Sequence, residues 1–321
     1  MRRATILAAT AIALAVAHAR PAVAAEATCL TARLIVPWGA GSGTDLIFRA
    51  LADAANRAGA KPRLEVVNIS GDEGVRGSRE ALRAPGDGCT LLAVTQSLMT
   101  SYISGDADFN WTAFAPVVRL TRTPVVLGAR RSATFSTVPE MLEAARGSDG
   151  VTAGSTQGLA SHFLFLLMAD RTGGTFKPVF LDGARERLSA LLDGKVDVAE
   201  INQATAQRLV PDGLVKALAV TGPKRLATLP DVPTLKEQGV NLEFTIDRGV
   251  VLPKKAPKEL IDQQVVLFER ALQDPQVAAL LLEHGTAAAF LAPKPYAGYW
   301  QDTFADWRRI AKEAGFYKQL D

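Results

Sequence analysis

Short apolar runs recur along the chain, separated by stretches with helical spacing. Leu34–Pro37, Leu64–Asn68, Leu91–Val94, Val125–Leu127, Val151–Ala153, Val196–Ala199, Ala217–Val220 and Val250–Leu252 read as strands. Leu46–Arg57, Leu159–Arg171 and Ala184–Leu192 carry apolar residues at helical intervals between them. Thr137-Val138-Pro139-Glu140 has the form of a capping box with proline in the first turn, and opens a helix through Ala145. Strands that are apolar throughout, rather than alternating, predict parallel sheets covered on both faces by helices. The last stretch, about seventy residues, reads as almost wholly helical. There Trp300, Phe304, Trp307, Ile310 and Ala314 fall on one helical face, which predicts core packing.

The N-terminus has a different pattern. Arg2 and Arg3 precede an uncharged, mostly apolar stretch from Ala4 to Val16, and Pro21 then stands before Ala22-Val23-Ala24, a small-x-small cleavage pattern. This predicts a signal peptide over residues 1–24, general secretion, and a periplasmic location. The stretch is shorter than the roughly 20 apolar residues that span a bilayer, and no later run reaches that length. Removing Arg2, Arg3 and Arg20 leaves 33 basic residues against 33 acidic ones, so the formal charge falls from +3 to zero. With no basic stripe and no aromatic-basic interleaving, nucleic acid is not an expected partner. About 297 residues remain, 48% of the chain is hydrophobic and 21% charged, and two domains of ordinary size can be built from them.

Candidate chemistry lies in two glycine- and hydroxyl-rich turns, each between a strand and a helix. One is Pro37-Trp38-Gly39-Ala40-Gly41-Ser42-Gly43-Thr44-Asp45; the other is Gly154-Ser155-Thr156-Gln157-Gly158. Such turns present N–H groups and hydroxyls at a helix N-terminus, where an anion is favoured, on the sheet edge where open α/β folds bind ligands. A tight connection with an ordinary cap explains either turn alone; two of similar composition point to a shared site. Enzyme readings fit less well. The dinucleotide fingerprint lacks its third glycine in both registers, and Asn68 stands where its acid belongs. The second turn has Thr156 where a nucleophile elbow has serine, no Walker lysine follows either turn, and His162 and His284 lack the neighbours of a metal site. No cofactor or metal is expected.

Leu34-Ile35-Val36-Pro37-Trp38 running into Gly41-Ser42-Gly43-Thr44-Asp45 resembles the opening of the Bug family, the substrate-binding receptors of tripartite tricarboxylate transporters. The likeness continues through Gly74-Val75-Arg76-Gly77, Asp87-Gly88-Cys89-Thr90-Leu91-Leu92, Ala153-Gly154-Ser155 to Ser161-His162, and Asp193-Gly194-Lys195-Val196-Asp197. Its most distinctive stretch is Lys216-Ala217-Leu218-Ala219-Val220-Thr221, then Lys224-Arg225, Leu229-Pro230-Asp231-Val232-Pro233-Thr234 and Glu237-x-Gly239. The resemblance covers essentially the whole mature chain in order. It implies a two-lobed α/β periplasmic-binding-protein type II fold, with doubly wound mixed sheets, a central cleft and two interlobe crossovers. Lobe one would hold 25–123 and 247–321, lobe two 124–246. It further implies a monomeric receptor for a small carboxylate, serving membrane permease subunits. The contacts carried over are Trp38, Ser42, Gly43, Thr44 and Asp45 from lobe one, with Ser155, Thr156, Gln157 and Asn202 from lobe two.

Departures from the family pattern concern the ligand. Ser42 replaces the middle of three glycines, and Phe180-Leu181-Asp182-Gly183 stands where an aromatic-lysine-glycine run is usual. Asp182 could repel a second carboxylate, receive an amine, or serve only as a turn residue. Arg248, near the second crossover, could grip a distal carboxylate or hold the hinge through a salt bridge. His162, in the first turn of its helix, is expected as a hydrogen-bonded packing residue. Cys29 precedes strand one and Cys89 strand three, neighbours in a doubly wound sheet of order 2-1-3, so an exported chain with these two cysteines is expected to join them. Three functions stay open: a permease receptor, a sensory protein presenting its ligand state to a membrane kinase, and an α/β enzyme.

Overall fold

The structure, a computed structural model, describes residues 27–319. The expected signal segment lies outside them. Along the chain run β1 (Thr31–Val36), α1 (Gly43–Arg57), β2 (Arg63–Asn68), α2 (Val75–Arg83), β3 (Thr90–Val94), α3 (Ser97–Ile103) and β4 (Phe114–Pro124). Then come β5 (Val126–Arg130), α4 (Val138–Arg146), β6 (Val151–Ser155), α5 (Ala160–Thr172), β7 (Phe176–Phe180), α6 (Ala184–Leu192), β8 (Val198–Ile201), α7 (Gln203–Leu209) and β9 (Val215–Val220). The chain ends with β10 (Thr245–Pro253), α8 (Lys258–Leu272), α9 (Pro275–Glu283), β11 (Ala287–Leu291) and α10 (Pro293–Glu313).

Two sheets result, six strands in the order β11-β4-β10-β3-β1-β2 and five in the order β7-β6-β8-β5-β9. Each is mixed. The wholly parallel pairing suggested by the apolar runs holds for β2-β1-β3 and β7-β6-β8, while β10, β4, β11 and β5 pair antiparallel. Apolar clusters lie on both faces of each sheet: Leu34, Phe48 and Phe268 against Ile35, Phe114 and Trp300 in the first, and Leu127, Phe163 and Phe244 against Val126, Leu191 and Leu209 in the second. Thr137 caps α4 in a complete capping box with Glu140, which fixes where that helix starts. Among the described residues, no helix is long and apolar enough to cross a membrane.

The chain passes between the sheets twice. Outward, β4 becomes β5 with Val125 alone between them; the return runs through Phe244 into β10. Thr221, fully buried, ties the two passages: its hydroxyl accepts from Val125 N at 3.0 Å and donates to Phe244 O at 2.6 Å. Three strands lay outside the apolar-run reading. β4 is broken up in sequence by Pro116, Arg119 and Arg122, β7 contains Lys177-Pro178 and tolerates them as an edge strand, and alanine-rich β11 interrupts the expected helical tail.

The closing helix, expected in lobe one, packs on the cores of both sheets. Tyr296 and Trp300 sit in the first sheet's core, whereas Trp307, Ile310 and Ala311 join the second sheet's, with Trp307 stacked on Phe163 at 4.4 Å. Arg171–Asp306 and Arg309–Asp170, both at 2.7 Å, fasten α10 to α5. Beyond it, Lys318 N and Gln319 Nε2 donate to carbonyls of Ile103 and Tyr102 at the end of α3.

Cys29 and Cys89 are joined in a disulfide, with a Cα separation of 5.8 Å. The bond closes a loop of 60 residues at the start of the paired strands β1 and β3. The Cys29→Ser/Cys89→Ser double variant is expected to lose about 2–4 kcal/mol in urea unfolding, through the loop-closure freedom returned to its unfolded chain.

Candidate functional site

The first turn is built by side chains that fold back on it. Gly41 takes a φ of +78°, open to glycine at little cost, and lets Ser42 turn into the N-cap of α1, where its Oγ accepts from Asp45 N at 3.2 Å. The Asp45 carboxylate accepts from Gly41 N at 2.8 Å, Arg49 Nε at 2.9 Å and Asn68 Nδ2 at 2.8 Å. Burial alone would raise the pKa of Asp45, but hydrogen bonds from Arg49, Asn68 and Gly41 outweigh it and hold the group below the ordinary carboxylate value. Asp45 is 1% exposed, and these hydrogen bonds hold the loop in place. Asn68 assists by donating to Trp38 O at 3.0 Å, and half-buried Trp38 packs on the first sheet's core. At Gly43 a Cβ would meet nothing within 4 Å, so that helix-opening residue faces free space.

Thr44 is joined to the crossover. Its Oγ1 accepts from Arg248 Nε at 2.9 Å, while Arg248 Nη1 donates to Thr123 Oγ1 at 2.5 Å, and Thr123 shares a 2.8 Å hydrogen bond with Thr286. Arg248 is 7% exposed. Burial lowers its pKa to about 10, with the neighbouring Asp247 charge acting in the opposite direction, so the group stays cationic at neutral pH. Among the described residues no carboxylate lies within salt-bridge distance of it. The adjacent acid, Asp247, pairs instead with Arg119 at 3.4 Å and Arg122 at 3.3 Å, and that removes the hinge salt bridge as an account of Arg248. A register shift between Arg248 and Gly249 marks a bulge beside the arginine. Gly249 has no room for a side chain, since a Cβ there would come 2.5 Å from Val118 O and 2.3 Å from the Tyr296 hydroxyl.

The second turn follows β6. Thr156 is fully engaged: its hydroxyl donates to Leu181 O at 2.8 Å and accepts from Gly183 N at 3.2 Å and Arg187 Nη1 at 2.7 Å. It therefore clamps this turn to the one after β7 and has no proton left for a ligand. Arg187 continues to Glu200 at 3.0 Å, a buried pair. Ser155 is fully buried and its Oγ has no hydrogen-bond partner, whereas Gln157 is exposed. Asn202, at the end of the neighbouring strand β8, caps α7 by accepting from Thr205 N at 2.8 Å. His162 Nδ1 accepts from Gly158 N at 3.2 Å, and its ring packs on Phe180 and Phe316. Asp182 is exposed between Leu181 and Gly183.

The two turns belong to different sheets, and the lobes touch beside them. A Cβ on Gly158 would come within 3.0 Å of the Ser104 side chain, and one on Gly285 would fall on the Gln203 amide. Sequence reasoning missed Thr123, Arg187, Glu200 and Asn68. Arg187 and Glu200 lie 13 positions apart on different elements, with no spacing signal to link them.

Two mixed sheets, two strand crossovers and paired turns at strand ends define a periplasmic binding protein of the two-lobed type II class. Residues 47–316 match the tripartite tricarboxylate transporter family receptor, and the chain belongs to that family. It is 28% identical over 291 residues to the UPF0065 protein in the tcbD-tcbE intergenic region of Pseudomonas sp. strain P51, covering 87% of this chain and 84% of that one. A TctC solute binding protein from Polaromonas superposes with a TM-score of 0.76 at 26% identity, over 88% of this chain and 98% of its own. R. palustris Rpa4515, solved with adipate, gives a TM-score of 0.73 at 25% identity, over 89% and 97%.

Burial pushes the pKa of His162 from 6.5 down to about 4. Between those values the unfolded chain binds a proton that the folded one refuses. Stability should therefore fall as pH drops from about 6.5 to about 4 and level off below. Urea midpoints across that range are expected to fall less steeply for His162→Gln than for the parent.

Proposed function

We propose that this chain captures a small organic carboxylate in the periplasm, between its two lobes, and presents it to the membrane subunits of a tripartite transporter without acting on it chemically. The observation that carries the reading is Arg248: a buried guanidinium, hydrogen-bonded to Thr44 of the first turn, with no ion-pair partner among the described residues, the neighbouring Asp247 being paired with Arg119 and Arg122. A buried charge is costly unless paired, so this site is built to receive an anion. Thr44 accepts from Arg248 through oxygen and keeps its own proton to donate. Ser155, with its unpartnered Oγ, offers a second hydroxyl on the other lobe. The adipate solved with Rpa4515 carries at each end a carboxylate of the kind Arg248 and Thr44 would receive. Gly43 and Gln157, both exposed on the turns, and the side-chain amide of Asn202 complete the proposed contacts. We assign lobe one to 27–123 with the segment from 247 to the first half of α10, and lobe two to 124–246 with the second half of α10.

A thermal-shift and calorimetric screen of mono-, di- and tricarboxylates tests the reading. Thr44→Val and Ser155→Ala should each weaken the best binder about ten- to a hundredfold, as expected for hydrogen bonds to a charged acceptor. Arg248→Gln should weaken it more than either, because it removes the counter-charge. A ligand whose amide binds as tightly as its acid would remove the carboxylate reading.

A further inference from the structure

The two turns share a device: a buried arginine hydrogen-bonds the Oγ1 of a turn threonine, Arg248 to Thr44 at 2.9 Å and Arg187 to Thr156 at 2.7 Å. The charges behind them are not alike. Arg187 is neutralised by Glu200, at 3.0 Å and almost as buried, whereas Arg248 has no such partner among the described residues. The remaining charges near the turns widen the difference. In the first turn Asp45 is answered by Arg49, which leaves Arg248 in surplus. In the second, Asp182 stands exposed in a segment pinned to Thr156 on both sides and has no cation within salt-bridge distance among the described residues.

We infer that the site selects an organic acid with one carboxylate, directed at Arg248 and Thr44, and an uncharged hydrogen-bonding group at its other end, directed at Ser155 and the second turn. The inference rests on the carboxylate reading above and narrows it. A second carboxylate at the lobe-two end would meet a guanidinium whose charge Glu200 already balances and would add to the negative charge of Asp182, so it would enter the cleft uncompensated. An amide or hydroxyl there would meet the Ser155 hydroxyl and the Asn202 amide without that cost.

Calorimetry on the mature protein with matched probes tests this: linear diacids of four to eight carbons, each beside its half-amide. In the parent protein the best half-amide should bind at least tenfold more tightly than its diacid. Glu200→Gln frees the charge of Arg187, so it should shift the diacid-to-half-amide ratio toward the diacid by tenfold or more. The Arg187→Gln/Glu200→Gln double variant carries neither charge and should keep the parent's order of preference even if both affinities fall. It also serves where the single variant folds poorly. A parent that prefers the diacid, or a ratio that Glu200→Gln leaves unmoved, overturns the inference while leaving carboxylate capture intact. If no pair binds at millimolar concentration, or if Arg248→Gln changes neither affinity, the carboxylate reading itself fails and takes this inference with it.

Discussion

The pairing of β4 with β10 is the constraint on which the rest of the molecule depends. One strand carries the chain out of the first sheet and the other brings it back, and they lie antiparallel from Thr245 opposite Pro124 to Pro253 opposite Phe114. Strand alternation places successive side chains on opposite faces. Asp247 accordingly turns to Arg119 and Arg122, and its backbone N–H to Gln96 Oε1 at 3.0 Å, while Arg248 turns to Thr44 and Thr123. The pleat thus separates an acid and a base that are adjacent in sequence. The acid is answered by two arginines on its own face, so the base on the other face is left without an ion-pair partner among the described residues.

That ladder is not the only link between the lobes. Because α10 puts Tyr296 and Trp300 in one core and Trp307 and Ile310 in the other, any rotation about the two crossovers has to carry this helix with one lobe or bend it. Burial of large aromatic side chains at both ends makes either half expensive to extract, since each would expose 150 Å² or more of mostly apolar surface. The ion pairs to Asp170 and Asp306 and the tail's hydrogen bonds to α3 add to the same restraint. Movement between the lobes is therefore confined to rotations that α10 tolerates, a narrower set than two bare strands would permit.

Much of this architecture was legible in the sequence because apolar periodicity reports burial directly. The inner strands β1, β3 and β6 are covered on both faces, and most of their buried residues are apolar. The strands that escaped notice obey other rules. β4 carries arginines and threonines where it crosses between the sheets, and its arginines answer the aspartate of β10. The two turns were legible from glycine and hydroxyl content, yet the division of labour within them was not. Asp45 and Thr156 have the right residue types for ligand contacts and are consumed in holding the turns; only the hydrogen bonds to Asn68, Leu181 and Arg187 reveal it. Arg248 was visible as a charge near a crossover, but its lack of an acidic partner is a property of the folded neighbourhood and leaves no trace in sequence spacing.

The same local chemistry, a guanidinium holding a threonine hydroxyl, therefore has two different consequences in the two lobes. Where Glu200 completes the pair, the arginine's charge is spent and the motif acts as a brace that keeps the β6–α5 and β7–α6 turns together. Where no acid completes it, the motif is poised: Thr44 is oriented by a donor on its oxygen, so its proton points away from Arg248, and the uncompensated cation lies behind it. On the proposed reading, an anion at Thr44 would meet a hydroxyl already turned to donate and a guanidinium with no ion-pair partner among the described residues, in surroundings that screen it weakly. Binding strength in the proposed site would come from charge the fold has left unpaired, while the paired charge of the opposite lobe holds its own turns in shape.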